Sequence, residues 1–309
     1  MNLKEIEYIV TLAQEQKLTR AAEKLFITPS ALTQQVTNLE KRLGLPLFYR
    51  SRNGWLPTEA GSIYLQSARE ILQIRQKTDK RLQDLADSRQ GTLNVGITSE
   101  HGSSTFTHIY PAFHKQYSEV TINIYETNVR SQQQMLASCE LDLGIMTLSR
   151  HQQTEDVYIP LANEEIVLAV PSLHPACHLA VPTAQSPYPE LNPDNIRHEP
   201  FAMMYKQSTM YEVISQTFQE YDFSPETLFY AQRSVTALEM VSAGICCSVV
   251  PSFFAAGAWQ RSFPNVSFFS FPSHPTWTIN ASYKKGSYLT AAAQYFIQLA
   301  REYWGELAL

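Results

Sequence analysis

Two helical repeats separated by only three residues fix much of what this chain can be. Leu32, Val36, Leu39 and Leu43 recur at steps of four, three and four, which places them on one face of a helix. Thr28 is positioned to cap that helix, and Pro29 takes its first position, where a missing N–H costs nothing. Gly44 ends it. Upstream, a shorter helix carries Ala21, Ala22 and Leu25, with Thr19 as its expected N-cap. Phe26, Ile27 and Thr28 leave room only for a tight turn between the two. An earlier apolar stripe, Leu3, Ile6, Val10 and Ala13, lies before the polar break Glu15-Gln16-Lys17. Two helices joined by a short turn and braced by a third make a tri-helical helix-turn-helix.

A β-hairpin is expected next, from Leu47-Phe48-Tyr49-Arg50 and Ser51-Arg52-Asn53-Gly54-Trp55-Leu56, because Asn-Gly is a strong two-residue turn signal. A hairpin in that place is a wing. From 58 to about 88 there is no proline, and no glycine after Gly61, so a long helix is predicted. Tyr64, Ala68, Ile71, Arg75, Thr78, Leu82 and Leu85 alternate by four and three, the seam of a two-helix packing weakened at Arg75 and Thr78. A solvated spacer helix is the alternative.

The formal charge of −5 argues against a phosphate-binding partner until it is divided along the chain. Residues 1–89 carry 14 Lys and Arg against 10 Asp and Glu, a net +4; the remaining residues carry 10 against 19, a net −9. A basic head on an acidic body suits a nucleic-acid-binding module joined to a soluble sensor.

After Gln90-Gly91 the pattern becomes α/β. Strand-like runs occur at 93–97, 121–125, 141–146 and 166–170, then near 200–204, 246–250 and 266–271. Helical stretches separate them, including 131–138, 210–221 and 291–304. Such alternation predicts parallel sheets with right-handed crossovers. The five prolines from Pro182 to Pro200 mark a surface loop. Cys139, Cys177, Cys246 and Cys247 lack metal-ligand spacing and are expected as reduced core thiols, a redox sensor being the alternative. The longest uncharged stretch, 240–260, is broken by Gly244, Pro251 and Gly257, and the opening residues MNLKEIEYIV are not a signal peptide. A cytoplasmic protein without a membrane span is expected. No Gly-x-Ser-x-Gly or phosphate loop points to an enzyme, and no cofactor or metal is implied.

Several segments together resemble the DNA-binding domain of LysR-type transcriptional regulators. They are Leu18-Thr19-Arg20-Ala21-Ala22-Glu23-Lys24-Leu25, Thr28-Pro29-Ser30-Ala31-Leu32-Thr33, Leu39-Glu40-Lys41-Arg42-Leu43-Gly44, Leu47-Phe48-Tyr49-Arg50 and Thr58-Glu59-Ala60-Gly61. Looser likenesses follow at Gly91-Thr92-Leu93-Asn94-Val95-Gly96, Glu140-Leu141-Asp142-Leu143-Gly144-Ile145 and around Met240–Pro251. The resemblance implies a recognition helix in the major groove of promoter DNA, its first turn offering Thr28, Pro29, Ser30, Thr33 and Gln34. Gln34 can pair with adenine, the hydroxyls can donate or accept, and Pro29 can touch a thymine methyl. Arg50, Arg52 and Asn53 on the wing suit phosphate or minor-groove contact, a solvated charged hairpin being the alternative. This chain departs from common family residues at Pro29 (often Gln), Gln34 (often Arg) and Pro57 (usually Leu). Cys139 and Cys246 stand where Gly is frequent.

The implied fold is α/β: an N-terminal winged helix-turn-helix (1–58), a long linker helix (59–89) and a two-subdomain periplasmic-binding-protein-like effector domain. Its first subdomain would comprise 90–162 and 268–309, and its second 163–267. A small-molecule effector, a carboxylate metabolite among the options, would bind at helix N-termini on one edge of the sheets. Candidate contacts are Thr98, Ser99, Glu100, Asn128 and Thr147 from one subdomain, and Gln207, Ser208, Ser234 and Thr236 from the other, Ser234 and Thr236 as helix caps. Any one of these hydroxyls also reads as a plain cap. Glu100 is awkward beside an anion, so either it points away or the effector is cationic or zwitterionic. His101 is expected at the surface or behind the ligand contacts. Partners implied are double-stranded promoter DNA, a second copy through the linker helix, a homotetramer, and RNA polymerase. Rival readings are a ligand-independent oligomerisation domain, a solute-binding protein and an enzyme on the same fold.

Overall fold

Asn2 and Glu5 open the first helix as a reciprocal cap: the Asn2 side chain accepts the Glu5 N–H at 3.3 Å, and the Glu5 carboxylate accepts the Asn2 N–H at 3.1 Å. In the computed structural model, residues 2–51, 54–85 and 90–307 are described, and contacts divide the chain into Met1–Ser88 and Arg89–Leu309.

The first unit contains α1 (Leu3–Glu15), α2 (Leu18–Lys24), α3 (Pro29–Leu43), β1 (Phe48–Ser51), β2 (Gly54–Pro57) and α4 (Glu59–Leu85). Thr28 caps α3 by accepting the Ala31 N–H at 3.2 Å, and Gly44 ends it with φ +72°. Thr19 is not a cap. Helix α2 begins two residues earlier, at Leu18 after Lys17, with no side-chain cap. Ile6, Ile9, Leu12, Leu32, Val36 and Leu39 form the core, whereas Leu3 and Leu43 of the expected stripes are exposed. Strands β1 and β2 pair antiparallel from Phe48↔Pro57 to Ser51↔Gly54.

The first three positions of the expected seam of α4 pack within the chain. Ala68 is fully buried, and Tyr64 and Ile71 pack beside it on the core of α1 and α3, within the same chain. A four-three alternation reports burial without saying against what. Arg75 pairs with Glu7 at 2.8 Å. The apolar side chains left exposed on α4 include Ile63, Ile74 and Leu82.

The second unit runs β3 (Gly91–Ile97), α5 (His101–Gln116), β4 (Val120–Glu126), α6 (Val129–Ala137), β5 (Leu143–Leu148), β6 (Val157–Pro171), β7 (Pro200–Met204), α7 (Thr209–Glu220), β8 (Glu226–Ala231), α8 (Ser234–Ser242), β9 (Cys247–Pro251), α9 (Gly257–Ser262), β10 (Val266–Ser270), β11 (Thr276–Tyr283) and α10 (Ala291–Glu306). The strands follow the order β4-β3-β5-β11-β6-β9-β7-β8, with β10 also on β6. Each end is parallel, β4-β3-β5 and β9-β7-β8, as alternation predicts. The middle is antiparallel. Strand β6 pairs with β11 as far as Glu165, then with β9 from Ile166 onward and with β10 from Val167. It therefore joins two lobes, and the chain returns between Ser270 and Thr276.

The sequence pattern did not yield β8, β11 or the first half of β6. Cys246 and Cys247 are buried and Cys139 and Cys177 half-buried; all four are free thiols. Cys139 has φ +62°, a left-handed backbone conformation that Gly adopts without cost. Among the described residues, no helix is long and apolar enough to cross a membrane.

Candidate functional site

Helix α3 presents Thr28, Pro29, Ser30 and Gln34 on its exposed side at the N-terminal end. Thr33 is half-buried, and its hydroxyl donates to the Pro29 carbonyl at 2.9 Å. Gln34 Nε2 donates to Asn38 Oδ1 at 2.8 Å, which orients its amide along the helix. Arg50 is engaged within the fold. It reaches Glu40 at 2.6 Å and Thr37 at 3.2 Å, with its guanidinium 4.6 Å from the centre of the Trp55 ring. Arg52 and Asn53 lie outside the described residues.

A cavity of about 400 Å³ opens between the two lobes of the second unit. Thr98, Ser99, Glu100, Asn128, Thr147 and Ser208 line it, so six of the expected effector contacts converge. The wall is built from helix starts. Asn128 caps α6 by accepting the Ser131 N–H at 2.9 Å, and Ser208 caps α7 by accepting the Tyr211 N–H at 3.0 Å. Thr98 Oγ1 accepts the Gly102 N–H at 3.3 Å, in the first turn of α5. The Ser99 hydroxyl has no hydrogen bond among the described residues.

Three expected contacts do not line the cavity. Gln207 and Thr236 are exposed outside it, and Ser234 is buried as the first residue of α8. Neither Ser234 nor Thr236 caps α8. Thr209, which the sequence places beside Gln207 and Ser208 ahead of a helix, also lines the wall, whereas sequence reasoning missed Thr127, Tyr205, Gln232 and Trp277. Thr127 adjoins the candidate Asn128, but Trp277 lies on a strand the pattern did not reveal. Burial raises the pKa of the Tyr205 hydroxyl, so it stays a neutral donor. Neither Lys nor Arg is among the described residues lining the cavity.

Polar contacts cross the cleft beside the cavity. Thr209 Oγ1 donates to the Thr147 carbonyl at 2.9 Å. Gln152 Nε2 donates to the Thr209 carbonyl at 3.0 Å and to Glu212 at 2.7 Å, and Arg130 pairs with Glu212. His101 is not at the surface. It is 3% exposed and packs on Phe253, Trp277 and Trp304 with ring centres 5.1, 5.9 and 5.6 Å away. Its opposite charge is Glu164. Among the described residues no group of three His, Cys, Asp or Glu side chains is placed to hold a metal ion.

Residues 3–62 match the family model described as "Bacterial regulatory helix-turn-helix protein, lysR family", and residues 86–305 match that of the "LysR substrate binding domain". The chain belongs to the LysR family. It is a DNA-binding transcriptional regulator with a C-terminal effector-binding domain. This LysR-family protein is 27% identical to the uncharacterized HTH-type transcriptional regulator YcgK of Bacillus subtilis (strain 168), over 98% of this chain and 94% of that one. It is 24% identical to YybE of the same organism, over 99% and 100% of the two chains. Among solved structures it shares the fold of a full-length OxyR variant from Pseudomonas aeruginosa, with TM-score 0.68, 21% identity, and coverage of 100% and 96%. It also shares the fold of full-length CbnR in complex with its target DNA, with TM-score 0.52, 19% identity, and coverage of 98% and 100%.

Proposed function

We propose that the cavity between the lobes holds a small-molecule effector, and that its occupancy alters how the regulator contacts its promoter. The observation that carries this reading is the Ser99 hydroxyl, unengaged among the described residues, on a cavity wall built from the starts of three helices. Thr98, Ser99, Asn128, Thr147 and Ser208 are the expected contacts. On the DNA side, Thr28, Pro29, Ser30, Thr33 and Gln34 meet base edges, and Arg50, Arg52 and Asn53 make phosphate or minor-groove contacts.

The functional parts are 1–58 for DNA, 59–89 for pairing, 90–162 with 268–309 as the first effector lobe, and 163–267 as the second. Two copies pair through α4, further association gives a tetramer, and RNA polymerase receives the output. The protein works in the cytoplasm, where its DNA is, and is not an enzyme. Effector binding favours one angle between the lobes and so shifts a pre-existing equilibrium. The solved effector-binding domain of QuiR in complex with shikimate, 18% identical over 71% of this chain, is a relative of the same fold with a small molecule bound.

A thermal-shift screen of metabolites followed by anisotropy on DNA upstream of the protein's own gene tests the proposal. Ser99→Ala is expected to abolish the response to any effector found and to leave DNA affinity intact. Equal loss of both would refute it, and the absence of any stabilising metabolite would favour a domain that only oligomerises.

A further inference from the structure

Glu100 stands on the cavity wall just before α5, and its carboxylate reaches the opposite lobe. Oε1 accepts the Ser234 N–H at 2.6 Å, and Oε2 accepts the Ser234 hydroxyl at 2.8 Å. Ser234 is the fully buried first residue of α8, and Arg233 before it supplies no side-chain cap. The N-terminus of α8 is therefore capped from across the cleft, by a residue 134 positions away. Free N–H groups and the helix dipole draw a negative charge to such a place. At α6 and α7 the caps are the neutral side chains of Asn128 and Ser208. Only at α8, of these three, does a full carboxylate fill the position.

We propose that Glu100 is a built-in occupant of the anion seat of this cavity and thereby sets the charge class of the effector, which presents a cationic or hydrogen-bond-donating group to it. The inference rests on the reading that the cavity holds an effector. Three further observations support it. The described lining residues include no Lys or Arg, and their one histidine, His101, is already taken by Glu164 at 2.8 Å, so none of them offers a spare positive charge to an anion. Glu126 adds a second carboxylate to the wall. The Trp277 ring adjoins the same space, and an aromatic face attracts an ammonium group. A small amine or zwitterion meets complementary charge here, whereas a second anion meets repulsion.

Acetate and methylammonium, as sodium and chloride salts at matched ionic strength, serve as probes on the full-length protein. Binding is read from tryptophan fluorescence and from the thermal midpoint. The wild type is expected to bind methylammonium saturably and to ignore acetate. Glu100→Ala is expected to lose thermal stability, to regain it with acetate, and to reverse the preference by about tenfold or more, the worth of a charge-assisted pair of hydrogen bonds. Glu100→Gln keeps an acceptor for Ser234 and is expected to fold, to lose the methylammonium response and to gain little with acetate. Acetate stabilising wild type and Glu100→Ala alike would overturn the proposal, as would a folded Glu100→Ala indifferent to acetate. So would a wild type that binds neither probe. If Glu100→Ala does not fold, an unchanged methylammonium response in Glu100→Gln overturns it. Binding of an effector that needs Ser99 but is insensitive to Glu100 would sink this inference and leave the proposed function standing.

Discussion

His101 Nε2 lies 2.8 Å from Glu164 Oε2, and both side chains are almost wholly removed from solvent. The contact is that of an ion pair, off the line of a well-directed hydrogen bond. Glu164 is held from two other sides. Its Oε1 accepts the Phe253 N–H and its Oε2 accepts Trp277 Nε1–H, each at 2.8 Å. Glu164 sits on β6 two residues before that strand turns from β11 to β9. The next residue, Glu165, points to the other face and takes His274 Nδ1 at 2.8 Å. His274 lies on the returning connection and also meets Glu190 at 3.2 Å. The two passages between the lobes are thus each pinned by a histidine and a carboxylate.

Removing one member of the buried pair should cost far more than a surface ion pair would. Glu164→Ala strands His101, the Trp277 N–H and the Phe253 N–H together, and about 3–5 kcal/mol of stability should go with it. Glu164→Gln keeps an acceptor for the two N–H donors and should lose less. Urea unfolding followed by tryptophan fluorescence measures both. A loss under about 1 kcal/mol for Glu164→Ala would mean that the pair carries little of the lobe junction.

The same pairs give stability a definite dependence on pH. Burial opposes the charged imidazole at both sites, but the carboxylates outweigh it: Glu164 with Glu100 around His101, and Glu165 with Glu190 around His274. Both pKa values stand above that of an ordinary histidine. A group that binds its proton more tightly when folded stabilises fully below the unfolded value, near 6.5, and loses that contribution as pH rises through the folded value. The thermal midpoint should therefore fall as pH rises above the ordinary histidine value near 6.5, and His274→Gln should flatten part of the fall. A midpoint that climbs across this window contradicts the assignment.

How far the sequence reveals such features depends on whether they leave a local trace. The cap at Thr28, the proline at the start of α3 and the turn at Gly44 are local, and each is found where spacing predicted it. Gly61 is as specific: a Cβ there would come within 2.0 Å of the Leu47 carbonyl oxygen, so the family-like Thr58-Glu59-Ala60-Gly61 marks a close approach of α4 to the wing. Strand β11 left no such trace, because Asn280 and Ser282 are buried polar residues that mimic a surface pattern. With it went Trp277. Ser234 read as a helix cap, yet its cap comes from Glu100, and no one-dimensional pattern connects residues so far apart.

On the DNA-binding helix, Gln34 should read a base while contributing little to backbone attraction. Its amide is exposed and held by Asn38. Gln34→Ala should weaken operator binding by about 1–3 kcal/mol and leave affinity for random DNA, and the salt slope, unchanged. Anisotropy titrations on both DNAs at several salt concentrations decide it. Equal losses on operator and random DNA would show that Gln34 reads no base.

The linker helix offers two apolar faces, and substitution tells them apart. Ile71 packs on the core of its own chain, whereas Ile74 is 66% and Leu82 58% exposed. If two copies pair along α4, Ile74→Glu places a carboxylate in the apolar face of the dimer and leaves the fold of each head alone. Sedimentation equilibrium should then show weaker self-association, with the helical circular dichroism of the wild type retained. Ile71→Glu, by contrast, should destabilise the first unit itself, because the charge must be buried beside Ala68. If Ile74→Glu sediments like the wild type, this face is not the pairing surface and copies associate elsewhere.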